Sequence, residues 1–184
     1  MTITYPANQY PGIKNVTSVG ISNLSTLTKL KSFSFNGYDK ANSKFTDISG
    51  IIGVLSLENI ELKNVNVGSL PDLSGLKNLK SITMSDGNLV NINGLNGCTK
   101  IDTIDFTNNS INNLFGIKEL PLLKSLILNK NSIKAEALDS VNGTINNIDV
   151  LNYYDGKITT DKIDVRNNKF TDEDKTLLSW IILK

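Results

Sequence analysis

The sequence predicts an α/β solenoid, one elongated domain over residues 1–184 in which short parallel strands stack rung upon rung. Three observations predict it. Between Leu57 and Ile133 the chain repeats with a period of about 22 residues, within the range that marks stacked solenoid units. Near the start of each unit apolar and polar residues alternate, the period of a half-buried strand. Later in each unit apolar residues recur every third position, which fits a short 3₁₀-like return along the convex side better than a full α-helix.

The ladder Leu57, Ile60, Leu62, Val65, Val67, Leu70, Leu73, Leu76 recurs as Leu79, Ile82, Met84, Gly87, Leu89, Ile92, Leu95, Cys98. It recurs again as Ile101, Ile104, Phe106, Asn109, Ile111, Leu114, Ile117, Leu120. Aligned on its first position, units begin at Leu30, Leu57, Leu79, Ile101, Leu123, Ile145 and Thr160. Residues 1–29 are expected to form an N-terminal cap with a degenerate first unit. There Val16, Val19, Ile21, Leu24 and Leu27 lead into the Leu30 strand, after an irregular stretch holding Pro6 and Pro11. Repeats fill 30–170. Pro71 and Pro121 fall in the returns, where no continuous helix is broken. Lys134-Ala-Glu-Ala-Leu-Asp-Ser140 has helix-forming residues and helical spacing, so this convex segment is expected to be a true α-turn. Residues 171–184 are expected to close the solenoid as a cap helix, with Thr171-Asp-Glu-Asp174 as its N-cap and acidic first turn.

The chain holds 25 asparagines, and Asn109, Asn131 and Asn168 follow strands directly, where an amide can bond backbone groups that have left the sheet. Their role is read as structural. Cys98 replaces a ladder leucine and is read as an inert core thiol. A lone cysteine rules out an intrachain disulfide framework. Histidine is absent, which removes the usual general base, the Ser-His and Cys-His pairs and the commonest zinc ligand. The 19 basic and 18 acidic residues are interspersed with a net charge of +1, which suggests no basic face for nucleic acid or anionic lipid. No run of apolar residues is long enough for a membrane-spanning helix. Met1 to Asn15 lacks the charged start and apolar run of a signal peptide.

The pattern LxxLxxLxLxxNxIxxIxxL, carried by Leu120 to Ile133 and by Ile101 to Ile117, is the signature of leucine-rich repeats. It resembles the 22-residue class of bacterial internalin-like surface proteins, a class that also includes intracellular phosphatase-regulatory scaffolds. The resemblance covers roughly residues 20 to 170. It implies a leucine-rich-repeat horseshoe with parallel concave strands and a non-enzymatic protein that binds other proteins through its concave face or an adjoining edge. It also implies an extracellular or cell-surface location, the alternative being a cytoplasmic scaffold. No metal or cofactor is expected, and the chain is expected to be monomeric.

Outward positions 3, 5 and 7 of the strands should form three columns on the concave face. The middle column reads Ser34, Glu61, Thr83, Asp105, Ile127, Asp149, Asp164, and the column beyond it includes Lys63, Asn129 and Arg166. Among these Glu61, Lys63, Asp105, Asn129, Asp149 and Arg166 are candidate partner contacts. Asp149 and Asp164 are placed on neighbouring strands, and isolated solvated carboxylates are the preferred reading of the acids. The Ser, Thr and Asn of these columns leave a carbohydrate or cell-wall adhesin as the alternative function.

Two units depart from the period. The first is lengthened by Asn36-Gly-Tyr-Asp-Lys-Ala-Asn-Ser-Lys44 after its strand, and the sixth carries Asn152-Tyr-Tyr-Asp-Gly-Lys157. In register they would be five strands apart, about 24 Å, and could grip two ends of one partner. Tyr38, Tyr153 and Tyr154 would then be anchors, with Lys40, Lys44 and Lys157 at the rim. The competing reading packs Tyr38 and Tyr153 over the core edge at the ladder's ninth position.

Overall fold

The computed structural model describes residues 24–37, 43, 45–141 and 168–171, together with the strand backbone at 2–5, 153–154, 157–158 and 163–164. The strands are β1 (Thr2–Tyr5), β2 (Ser32–Asn36), β3 (Asn59–Lys63), β4 (Ser81–Ser85), β5 (Thr103–Asp105), β6 (Ser125–Ile127), β7 (Tyr153–Tyr154), β8 (Lys157–Ile158) and β9 (Ile163–Asp164). Seven form one parallel sheet in the order β1-β2-β3-β4-β5-β6-β9. The expected solenoid is present.

Strand register follows the repeat. Phe33, Ile60, Ile82, Ile104 and Leu126 lie side by side across the sheet, as the shared ladder position requires. These side chains are between 0% and 3% exposed, whereas their neighbours in each strand face outward. Apolar burial runs without interruption from Leu30 to Val141. Each fully buried Leu or Ile contributes roughly 1.5–3 kcal/mol, and because a rung touches only the rungs beside it, this stabilisation accumulates along the stack.

The convex returns are short 3₁₀ turns at Ser49–Ile51, Asn93–Leu95 and Phe115–Ile117, as the spacing of three predicts. A side chain opens two of these and the corresponding turn at Ser74. Asp47 Oδ1 accepts the Ser49 N–H at 2.7 Å, Asp72 Oδ1 accepts that of Ser74 at 2.9 Å, and Asn91 Oδ1 accepts that of Asn93 at 2.8 Å. Hydrogen bonds from the Ser49 and Ser74 side chains and amides hold the Asp47 and Asp72 carboxyls below their ordinary range. The expected α-turn is the helix α1 (Ala135–Asp139), which buries Ala135 and Leu138.

Two features differ from the sequence reading. The sheet begins one strand earlier than Leu30, because β1 pairs with β2 from Thr2 opposite Ser32 to Tyr5 opposite Phe35. Thr-Ile-Thr-Tyr alternates as a strand should, but the step from Thr2 to Ser32 is longer than the step from Ser81 to Thr103 that sets the period, so β1 falls outside the repeat. The second difference is at the sixth unit. β6 pairs directly with β9, Leu126 opposite Ile163 and Ile127 opposite Asp164, so the unit expected at Ile145 adds no rung between them. The physical reason is length: the interval from Ile145 to Thr160 is too short for a strand and a return. It carries a separate antiparallel pair, β7 with β8, in which Tyr154 lies opposite Lys157. Asp155-Gly156 joins them in sequence, a dipeptide suited to a two-residue hairpin. The cap helix expected at 171–184 lies outside the described residues apart from Thr171.

After each of the strands β3 to β6 the chain turns through a left-handed residue. Asn64, Asp86, Asn108 and Lys130 occupy the same ladder position with φ of 53°, 56°, 57° and 56°. Asn and Asp tolerate this region, whereas lysine bears the steric penalty of its Cβ without a local hydrogen bond to offset it. Lys130→Asn is therefore expected to raise stability by about 0.5–1 kcal/mol, read as an increased urea midpoint at unchanged m-value.

Candidate functional site

The concave face is built by the outward positions of β2 to β6, and in its N-terminal half the side chains bond one another across rungs. Asn59 Nδ2 donates to Ser32 Oγ at 3.2 Å, and Ser81 Oγ donates to Asn59 Oδ1 at 2.8 Å. In the next column Ser34 Oγ donates to Glu61 at 3.5 Å. Lys63 Nζ stands 3.5 Å from Asp86 Oδ2, and Asn108 Nδ2 donates to Asp86 Oδ1 at 2.8 Å. Burial works against ionisation of Asp86, but these partners prevail and keep its carboxyl below the ordinary range. Such ties hold the side chains in place before any ligand arrives, which lowers the entropy lost on binding.

Asp105 is held by its own turn: its Oδ1 accepts the Thr107 N–H at 3.0 Å and the Thr107 hydroxyl at 2.7 Å. Ile127 follows in the middle column, half-buried among polar neighbours. Asp164 lies beside Ile127 in register. Asp149 was expected on the strand next to Asp164, but that neighbour is β6, and residue 149 itself lies outside the described residues. Among the described residues no three carboxylate or cysteine side chains gather into a possible metal site. Asn129 is half-buried at the end of its column, where its carbonyl accepts the Asn108 N–H at 2.9 Å.

Below this face runs a ladder of asparagines. Asn109 Nδ2 donates to the carbonyls of Met84, Phe106 and Thr107, while its Oδ1 accepts the Leu89 N–H. Asn131 does the same one rung later, and Asn168 Oδ1 accepts the Ile133 N–H at 2.9 Å while Nδ2 donates to Leu128 at 2.8 Å. The structural role expected for these amides is what they have. Cys98 is fully buried, its Sγ–H donating to Leu73 O at 3.2 Å, and burial pushes its thiol up to about 11. It carries no thiolate at neutral pH.

The lengthened first unit is inserted where the sequence places it. Asn36 pairs with Lys63, and the buried ladder resumes at Phe45, whose ring stacks on Phe35 with centroids 4.4 Å apart. Gly37 N–H donates to Lys63 O at 2.8 Å and Asn66 N–H to Phe45 O at 2.9 Å, so both ends of the insertion are pinned beside β3. Tyr38, Lys40 and Lys44 lie outside the described residues, as does Arg166. Tyr153, Tyr154 and Lys157 have their backbone in the β7–β8 pair rather than in a rung of the seven-stranded sheet, so the five-rung separation does not follow, and their side chains lie outside the described residues. In the last rung Asn168 takes the ninth position.

The edge where the chain enters the strands carries one ion-pair chain that the sequence reading did not single out. Glu58 Oε1 meets Lys31 Nζ at 2.6 Å, and its Oε2 meets Lys80 Nζ at 2.7 Å. Their hydrogen bonds, Lys31 first and then Lys80, lower the Glu58 carboxyl from 4.5 to about 2. A carboxyl depressed on folding stabilises the native state above its unfolded value, and that stability is lost as pH falls. The stability difference between the unsubstituted protein and Glu58→Gln should therefore shrink between pH 4.5 and about 2, which thermal unfolding at stepped pH would measure.

No protein-family model matches the chain, and no curated protein matches it in sequence. Solved structures do. An internalin, InlF, from Listeria monocytogenes superposes with a TM-score of 0.62 at 21% identity, covering 86% of this chain and 48% of that one. Internalin C2 from the same organism gives 0.60 at 20% identity, covering 98% and 76%. A leucine-rich-repeat protein of Leptospira interrogans gives 0.59 at 15% identity, covering 99% and 52%. This chain thus spans about half the length of the InlF structure. No helix among the described residues is long and apolar enough to cross a membrane. With its repeating ladder, parallel sheet and 3₁₀ returns, the chain has the leucine-rich-repeat solenoid fold, similar to that of bacterial internalins.

Proposed function

We propose that the chain is a non-enzymatic protein-binding module of a bacterial surface or secreted protein, engaging its partner through the concave face and the two insertions. The observation that carries this reading is the contrast between regular rungs and the two places where regularity is broken. The core and returns repeat from rung to rung, yet the chain adds residues 37–44 with pinned ends after β2 and adds the β7–β8 pair between β6 and β9. Additions to an otherwise regular scaffold are where recognition residues concentrate. Tyr38, Tyr153 and Tyr154 supply anchors of the type enriched at interface hot spots, with Lys40, Lys44 and Lys157 around them. Glu61, Lys63, Asp105 and Asn129 present polar groups between, joined by Asp149 and Arg166 in the C-terminal part.

The test is a quantitative pull-down from host-cell and bacterial surface extracts with the intact protein and a Tyr38→Ala/Tyr153→Ala/Tyr154→Ala variant whose circular dichroism is native. A specific protein lost with the variant supports the reading. Equal recovery rejects the tyrosine anchors, and binding to a glycan array without any protein partner would favour the adhesin.

A further inference from the structure

The lysines that are scattered in sequence are gathered in space. In each rung the residues shortly before and just after the buried first ladder position face outward, and across the rungs from Leu30 to Leu123 they form one strip along the entry edge of the strands. Its registration is fixed by bonds between rungs: Lys31 and Lys80 converge on Glu58, Lys100 Nζ donates to Asn78 Oδ1 at 3.0 Å, and Lys124 N–H donates to Asp102 O at 2.8 Å. The strip holds Lys29, Lys31, Lys77, Lys80, Lys100 and Lys124 against only Glu58 and Asp102. A chain with net charge +1 thus concentrates positive charge on one edge, contrary to the dispersed arrangement suggested by composition.

The same strip carries two of the large apolar side chains that the described fold leaves in solvent, Leu55 at 62% and Leu122 at 51% exposure. They are three rungs apart, about 14 Å at the inter-strand spacing. An extended segment rises about 3.3 Å per residue and returns to the same face every second residue, so side chains four apart on such a segment span about the same distance.

We propose that this edge is a second interaction surface, which docks an extended acidic protein segment bearing two apolar residues spaced four apart. Carboxylates on the segment meet Lys29, Lys100 and Lys124, whose charges have no acidic partner within hydrogen-bonding distance among the described residues. Its apolar residues cover Leu55 and Leu122. A nucleic acid is disfavoured because the strip has neither arginine for phosphate forks nor aromatic rings for base stacking. Glu58 tunes the surface by holding Lys31 and Lys80 to itself.

The experiment is fluorescence anisotropy at low ionic strength with a labelled synthetic peptide of Asp and Glu carrying two leucines four residues apart. An all-Glu peptide and a single-stranded oligonucleotide serve as competitors. Saturable binding is expected that weakens with salt and roughly tenfold in Lys29→Gln/Lys100→Gln/Lys124→Gln. Leu55→Ser/Leu122→Ser should weaken it and abolish the preference over all-Glu peptide. Glu58→Gln should tighten it several-fold by releasing two lysines, a gain that misfolding cannot mimic. Lys134→Gln, on the convex side, should leave it unchanged. Absence of saturable binding, equal affinity in the triple lysine variant, or tighter binding of the oligonucleotide would overturn the proposal.

Discussion

Gly116→Ala is expected to destabilise the solenoid by about 3 kcal/mol or more, the upper end of what overpacking a rigid site costs. A Cβ at this position would lie 1.8 Å from the carbonyl oxygen of Ile92 and 2.5 Å from its carbon. Both atoms belong to the backbone of the preceding rung, so no side chain can swing away. Relief would require prising apart two convex returns whose core residues, Leu95, Leu114 and Ile117, are fully buried. Gly94 stands in the same relation to Pro71, with a Cβ 1.9 Å from that carbonyl oxygen, and Gly94→Ala should behave alike. Gly75, where an added Cβ meets nothing within 4 Å, is the control, and Gly75→Ala should be near neutral. Urea unfolding of the three variants measures the differences. The contrast separates close approach of the returns from any general intolerance of the fold to losing glycine.

Asn131→Ala is expected to cost about 1–3 kcal/mol, because it leaves the buried Ile111 N–H without its acceptor and takes one of two donors from each of three carbonyls. The Asn131 amide is 7% exposed and donates to the carbonyls of Phe106 at 2.9 Å, Leu128 at 3.0 Å and Asn129 at 3.3 Å, while its Oδ1 accepts the Ile111 N–H at 3.0 Å. No water can readily replace four bonds made inside the turn. Asn131→Asp sharpens the test. Its carboxylate can still accept from Ile111 but cannot donate to three carbonyls, so at neutral pH it should be at least as unstable as the alanine variant. If the side chain served only to fill space, the near-isosteric aspartate would be tolerated.

Much of this was legible in the sequence, for reasons that can be traced to particular residues. The ladder from Leu57 to Leu120 specified strand register because one constant period places Ile60, Ile82 and Ile104 side by side. The 3₁₀ returns followed from spacing of three, and α1 from the Ala-Glu-Ala-Leu run. What was hidden depends on partners distant in sequence. β1 was missed because its offset breaks the period, and the β6–β9 pairing because a run resembling the ladder at Ile145 was too short to form a rung. The left-handed residue after each of β3 to β6 was obscured by Lys130, a residue type that gives no hint of positive φ. Of the candidate site, the outward columns were readable from alternation and the insertion after β2 from its break in the period. The lysine edge was not, since its members sit at turn positions on either side of a buried leucine and come together only when rungs stack.

The central claim, that a protein partner is held by the concave face and the two insertions, is tested most directly by hydrogen–deuterium exchange of the chain with and without the captured partner. The account predicts slowed exchange in residues 36–44, in 152–157 and in the strands from β3 to β6, with the returns at Asn93–Leu95 and Phe115–Ile117 unchanged. Protection confined to those convex returns, with the insertions and concave strands exchanging as in the free protein, would contradict it.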